Sequence, residues 1–203
     1  MRFKLLNCTF NISFSFFALL ILMMISINKE YYLAALGSAV IHECGHIFVS
    51  FCCKERIKEI QFSLYGLVIV KDGTSASVLR NILILIFGPL FNIFTASFML
   101  LLKCFQMKIS DYFIISNILL ALFNLLPISN LDGGSIFEQI IAVKTDTEKT
   151  VKVTSFVSLI TSVTVFLILF IYTLGKSLNI FIIIFMFYIL FNGVFLFIKA
   201  NYS

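Results

Sequence analysis

Tyr31-Tyr32-Leu33-Ala34-Ala35-Leu36-Gly37-Ser38-Ala39-Val40-Ile41-His42-Glu43-Cys44-Gly45-His46-Ile47-Phe48-Val49-Ser50-Phe51-Cys52 lies between Glu30 and Lys54, and its interior is apolar except for His42, Glu43 and His46. About 20 apolar residues suffice for a helix to cross hydrocarbon, so the stretch reads as a membrane span. A carboxylate flanked by two imidazoles is costly at that depth unless it has a task. Solvent and chemistry are therefore both legible in one segment.

The rest of the chain agrees about the solvent. Of 203 residues, 61% are hydrophobic and 12% charged, more apolar surface than a soluble globule of this size can hide. Uncharged runs of about 20 residues or more lie between Lys4 and Lys29, Arg80 and Lys103, Asp111 and Asp132, Lys152 and Lys176, and Lys176 and Lys199. The first of these reads as a retained helix. It is too long for a signal core and ends in Asn28-Lys29-Glu30 with no small-x-small cleavage site.

The expected fold is thus an all-α polytopic membrane protein of about six helices, at about 6–27, 31–52, 80–102, 112–127, 153–175 and 178–198. Between the second and third spans, Ile60-Gln61-Phe62-Ser63-Leu64-Tyr65 alternates in polarity, Gly66 interrupts, and Leu67-Val68-Ile69-Val70 continues with β-branched residues; this pattern predicts a β-hairpin. Residues 142–150 read as a polar loop. The organisation expected is an N-terminal helix (1–30), a catalytic membrane core (31–142), and a loop with two C-terminal helices (143–203).

Charge sets the expected orientation. With the N-terminus cytoplasmic, all but Lys29, Lys103, Lys108 and Lys176 of the 15 basic residues fall on the cytoplasmic side. The net charge of +5 is then a topology signal and a contact with anionic lipid headgroups, with nothing pointing to nucleic acid. Five cysteines, Cys8, Cys44, Cys52, Cys53 and Cys104, are an odd number placed mostly within spans, which argues against a disulfide framework.

His42-Glu43-Cys44-Gly45-His46 is an H-E-x-x-H sequence. A spacing of four puts both imidazoles on one helical face, where they can hold one Zn²⁺, and leaves Glu43 able to reach a water on the metal as general base. These are the only two histidines in the chain. A catalytic zinc needs a third protein ligand and an open position. The best candidate is Asp132, in Asn124-Leu125-Leu126-Pro127-Ile128-Ser129-Asn130-Leu131-Asp132-Gly133-Gly134, where Pro127 should end the fourth span and the paired glycines permit a tight, unwound backbone. Both halves of that site fall toward the cytoplasmic ends of their helices.

H-E-x-x-H at His42–His46, G-P-x-x-N at Gly88-Pro89-Leu90-Phe91-Asn92, and N-x-x-P-x-x-x-L-D-G-G at Asn124 to Gly134 together resemble the site-2 protease family of M50-type intramembrane zinc metalloproteases. The resemblance covers roughly residues 31–142 and implies a three-helix catalytic core with a hairpin after its first helix. It implies zinc on His42, His46 and Asp132, Glu43 as general base, and Asn92 as a catalytic polar group near the reacting carbonyl, a candidate oxyanion donor. Gly88 and Pro89 read as shaping their helix for close packing. The chain departs from the family pattern at Ser129-Asn130, where a further proline is usual.

A six-span chain with no appended module is similar to the small bacterial branch that processes a membrane-bound pro-sigma factor in sporulation. That resemblance implies a bacterial cell membrane, a membrane-associated protein substrate and regulation by partners, such as a regulatory membrane protein, or by substrate supply; a site in the cytoplasmic half of the bilayer implies a cytoplasmic product. The competing reading is a metal-handling transporter or an inactive scaffold, since intramembrane His and Asp also line ion paths.

Overall fold

The computed structural model describes residues 2–5, 8–12, 28–55, 57–63, 66–71, 77–174 and 180–202. The chain divides into two compact units, Met1–Phe123 and Asn124–Ser203.

The first unit combines a sheet with three helices. Strands β1 (Arg2–Leu5), β2 (Cys8–Ile12), β3 (Ile57–Ser63) and β4 (Gly66–Lys71) form a sheet in the order β1-β2-β3-β4. β1 and β2 pair antiparallel, β2 and β3 parallel with Phe10 opposite Ile60, and β3 and β4 antiparallel with Ile60 opposite Ile69 and an irregularity between Ile57 and Glu59. β3 is therefore interior, and β4 is an edge.

The helix expected over about 6–27 does not begin there, because Cys8–Ile12 is strand β2. Its β-prone Thr9, Phe10 and Ile12 find partners in β3, and tertiary pairing of that kind overrides a hydropathy run. Residues 13–27 of that expected span lie outside the described residues.

Helix α1 (Lys29–Cys52) packs along α2 (Val78–Cys104), and α3 (Asp111–Asn124) completes the unit. Ser77 caps α2 by accepting a hydrogen bond from the Arg80 N–H at 3.4 Å. Glu55 pairs with Arg80 at 3.3 Å, linking the exit of α1 to the entry of α2, and Lys103 pairs with Asp111 across the α2–α3 turn.

The second unit holds α4 (Asp132–Ala142), α5 (Thr147–Thr173) and α6 (Ile180–Tyr202), with α5 packed on both of the others. α4 is a correction: the sequence reads as an unwound Asp-Gly-Gly turn and a polar loop, whereas a helix starts at Asp132 and only a short turn precedes Thr147. The glycines serve close approach. A Cβ on Gly133 would meet the Leu125 carbonyl, and one on Gly134 the Ile128 carbonyl. Ser158 Oγ on α5 accepts from the Ser129 N–H at 3.2 Å and holds the connecting loop. Gly193 on α6 lies so close to Ser162 that an added Cβ would stand 2.7 Å from its Oγ, a packing through small residues that suits membrane helices.

The distribution of polarity shows which solvent this fold expects. Buried positions include Ser38, Ser50, Asn92, Asn117, Ser158 and Ser162, each 0% exposed, whereas Phe51 is 80%, Phe94 72% and Phe191 70% exposed. Apolar side chains outside and hydrogen-bonding ones inside is the arrangement lipid demands. Among the described residues, four helices are long and apolar enough to cross a membrane: α1, α2, α5 and residues 182–201 of α6. The span expected at 112–127 is shorter than expected. α3 has 14 residues and reaches only about 21 Å, less than the ~30 Å of hydrocarbon. It stops at Asn124 because Pro127 disfavours helical backbone before it.

Candidate metal centre

The buried face of α1 is Ala34, Ser38, His42, Gly45, His46, Val49 and Ser50, so the i, i+4 spacing carries both imidazoles inward. Glu43 lies beside that face, half-buried, while Cys44 points outward and is exposed. α2 closes on the histidines because nothing larger than glycine fits at two positions. A Cβ on Gly45 would strike the Phe87 carbonyl, and a Cβ on Gly88 would strike the His46 ring and come within 2.9 Å of His42 Cε1. Pro89, next to Gly88 and fully buried, lacks the N–H that would bond the Leu85 carbonyl, which loosens the ladder in the turn that carries Ile84.

The hydrogen bonds determine the state of each ring. His46 Nδ1 stands 2.8 Å from the Ile84 carbonyl, which can only accept, so that nitrogen carries the proton. His42 Nδ1 stands 2.7 Å from Asn92 Oδ1. The Asn92 amide cannot be reversed, because its Nδ2 donates to the Ser38 carbonyl at 2.9 Å and to Asn117 Oδ1 at 2.8 Å. His42 Nδ1 is therefore a donor as well. In the neutral ring that leaves the lone pair on Nε2, and the two Nε2 atoms lie 3.2 Å apart.

Two neutral acceptors that close repel each other unless a cation draws them together. Two imidazoles on tetrahedral zinc, with Zn–N near 2.0–2.1 Å, require Nε2 atoms about 3.3 Å apart. The donor pair therefore fits a zinc-like ion, and the Nδ1 partners are the outer-shell acceptors that fix ligand tautomers at such sites.

Asn92, expected as a catalytic polar group, makes three hydrogen bonds inside the protein. It is 0% exposed, both amide hydrogens are donated to Ser38 O and Asn117 Oδ1, and its oxygen accepts from His42 Nδ1. Sequence reading missed Asn117 and Ser38. The signal was present, since an asparagine inside an apolar helix needs a partner, but the partner's identity depends on the fold. Asp132 belongs to the second unit, where it is the first residue of α4 and half-exposed, fixed in place by the two glycines that follow it.

Residues 107–171 match the model of peptidase family M50, a segment that contains α3, the Asn124-to-Gly134 motif and most of α5. The fold is similar to that of the site-2 protease from Methanocaldococcus jannaschii, with a TM-score of 0.66 and 24% identity, covering 97% of this chain and 94% of that one. No curated protein matches the chain. At that identity the likeness to the archaeal protease is one of fold, and the likeness to peptidase family M50 extends over residues 107–171.

Proposed function

We propose that the chain is a zinc metalloendopeptidase that hydrolyses peptide bonds of membrane-associated proteins within the bilayer, with His42, His46 and Asp132 as metal ligands and Glu43 as general base. The observation that carries the reading is the pair of Nε2 lone pairs set 3.2 Å apart by obligate acceptors behind each ring. Two imidazoles and a carboxylate are the kind of donor set that catalytic zinc takes as its three protein ligands. Zinc bound there would supply Lewis acidity toward a carbonyl and lower the pKa of a water.

The protein's own residues do the rest. Asn92 and the Ile84 carbonyl hold the rings in the ligating tautomer, and Glu43 takes the water's proton and passes it to the leaving amine. The test is cleavage of fluorescein-labelled unfolded casein by the purified chain in detergent, with and without 1,10-phenanthroline. Chelator-sensitive cleavage is expected. Zinc uptake into liposomes without any cleavage would instead establish a transporter.

Orientation and product release belong to the same proposal. The shared sheet of the N-terminal strands and the β3–β4 segment supports a common side of the membrane for both, and the distribution of basic residues supports the cytoplasm as that side. In a cysteine-free background, a cysteine at Ser77 is expected to react with an impermeant thiol reagent only from the cytoplasm, and one at Ser110 only from outside. The reverse pattern would overturn release of a cytoplasmic fragment.

A transmembrane substrate must unwind before a peptide bond is accessible, and a sheet edge can hold the unwound chain. The interior position of β3 makes Phe62 the wrong place to test this, and Leu64 lies outside the described residues; of the two edge strands, β1 and β4, the one that follows β3 is β4. Successive strand N–H groups point to opposite sides, so of Leu67→Pro and Val68→Pro one breaks the β3 ladder and the other only the outer edge. The outer-edge variant is expected to keep its zinc and to cleave a transmembrane-segment substrate about tenfold more slowly, the worth of roughly one hydrogen bond. Full-rate cleavage by both variants would reduce the sheet to a cover.

A further inference from the structure

Asn117 sits on α3, 0% exposed, with no place in the chemistry described so far. Its amide orientation is fixed because Nδ2 donates to the Phe113 carbonyl at 2.8 Å, leaving Oδ1 to accept from Asn92 Nδ2 at 2.8 Å. Asn92 Oδ1 in turn accepts from His42 Nδ1 at 2.7 Å. The amide relay is anchored by two backbone carbonyls, Phe113 O and Ser38 O, that can only accept. Reversing Asn92 would set its oxygen against both the Ser38 carbonyl and Asn117 Oδ1. It would also turn an NH₂ toward His42 Nδ1, driving that ring's proton to Nε2 and removing the lone pair.

Taking Asn117 away removes one of the two contacts that prevent this reversal. His46 has no such dependence, since its Nδ1 is held directly by the Ile84 carbonyl.

From this relay we infer that Asn117 is a positioning residue of the metal centre, acting through Asn92 to keep His42 in the tautomer that exposes Nε2. The inference rests on the proposed role of His42 as a metal ligand. It gives α3, which contributes no ligand, a defined hold on the geometry of α1.

The test uses the full chain in detergent micelles, labelled with ¹⁵N-histidine, and exploits the presence of only two histidines. In the metal-free protein both rings should show a protonated Nδ1. In Asn117→Leu, close in volume but unable to hydrogen-bond, one ring should move to mixed tautomers while the other stays unchanged, and Zn²⁺ affinity should fall about 10- to 100-fold, the usual cost of losing an outer-shell partner. Asn117→Asp should restore both, because a neutral acid accepts from Asn92 and donates to Phe113 O. A loss of packing alone would not move one ring's tautomer, nor be repaired by Asp.

Unchanged ring signals in Asn117→Leu, unchanged zinc affinity, or an Asp variant as impaired as the Leu variant would each overturn the inference. If the wild-type chain bound no zinc, the proposed function would fall, while the ring signals would still decide whether Asn117 sets the tautomer.

Discussion

Glu43→Gln is expected to retain zinc at wild-type affinity and to lose about 10²- to 10⁴-fold in cleavage rate, the range general-base catalysis supplies. The reason is the separation of roles along one helical turn. His42 and His46 face α2 with their Nδ1 protons committed to Asn92 and Ile84, so replacing the neighbouring carboxylate by an amide leaves their Nε2 lone pairs in place. The amide keeps the size and polarity of Glu43 but has no basic lone pair for a proton. Metal content by elemental analysis and casein cleavage must be measured on the same preparation. If cleavage persists at the wild-type rate, Glu43 is not the base; if zinc is lost with activity, Glu43 has a structural or ligating role instead.

How much was legible in the sequence depended on whether the signal was local. The α1 motif could be read because a spacing of four on a helix is a geometric fact before any tertiary structure exists, and the inward face of α1 carries both histidines. The need for glycine at Gly133 and Gly134 was also visible, but its purpose was misassigned. Local reasoning offers glycine for unwinding, whereas the helix that starts at Asp132 needs it because the carbonyls of Leu125 and Ile128 press against that turn. The N-terminal strands were illegible for a related reason. Residues 8–12 join a run whose hydropathy suggests a span, and only pairing with β3, some fifty residues later, selects extended backbone.

Asn92 shows the same limit at the site. The G-P-x-x-N sequence points to a polar group near the chemistry, and burial agrees, yet its role depends on where its three hydrogen bonds go. An amide offering its N–H to a substrate and one spending both hydrogens on Ser38 and Asn117 look identical in sequence. The direction of a hydrogen bond is set by which partners are obligate acceptors, and those partners come from α1 and α3.

Gly88→Ala is expected to lower zinc affinity by on the order of 100-fold or more, at least the scale of losing an outer-shell partner, and to abolish cleavage while the helices stay folded. The added methyl would overlap His46 Nε2 and Cε1 and come within 2.9 Å of His42 Cε1, so the imidazoles must move. A side-chain ring can swing where a backbone cannot, but swinging these rings breaks the Nδ1 bonds to Ile84 O and Asn92 Oδ1 and pulls the Nε2 atoms out of their 3.2 Å pairing. Gly45→Ala provides the contrast. Its methyl would meet the Phe87 carbonyl and stand 3.1 Å from Gly88 Cα, so the α1 and α2 backbones must separate. Overpacking of that kind costs about 1–3 kcal/mol of stability. Thermal unfolding in detergent and zinc titration on both variants therefore should give different signatures, with the Gly88 change felt by the metal alone and the Gly45 change by metal and fold together. Wild-type zinc affinity in Gly88→Ala would show that the ion does not sit between these two rings.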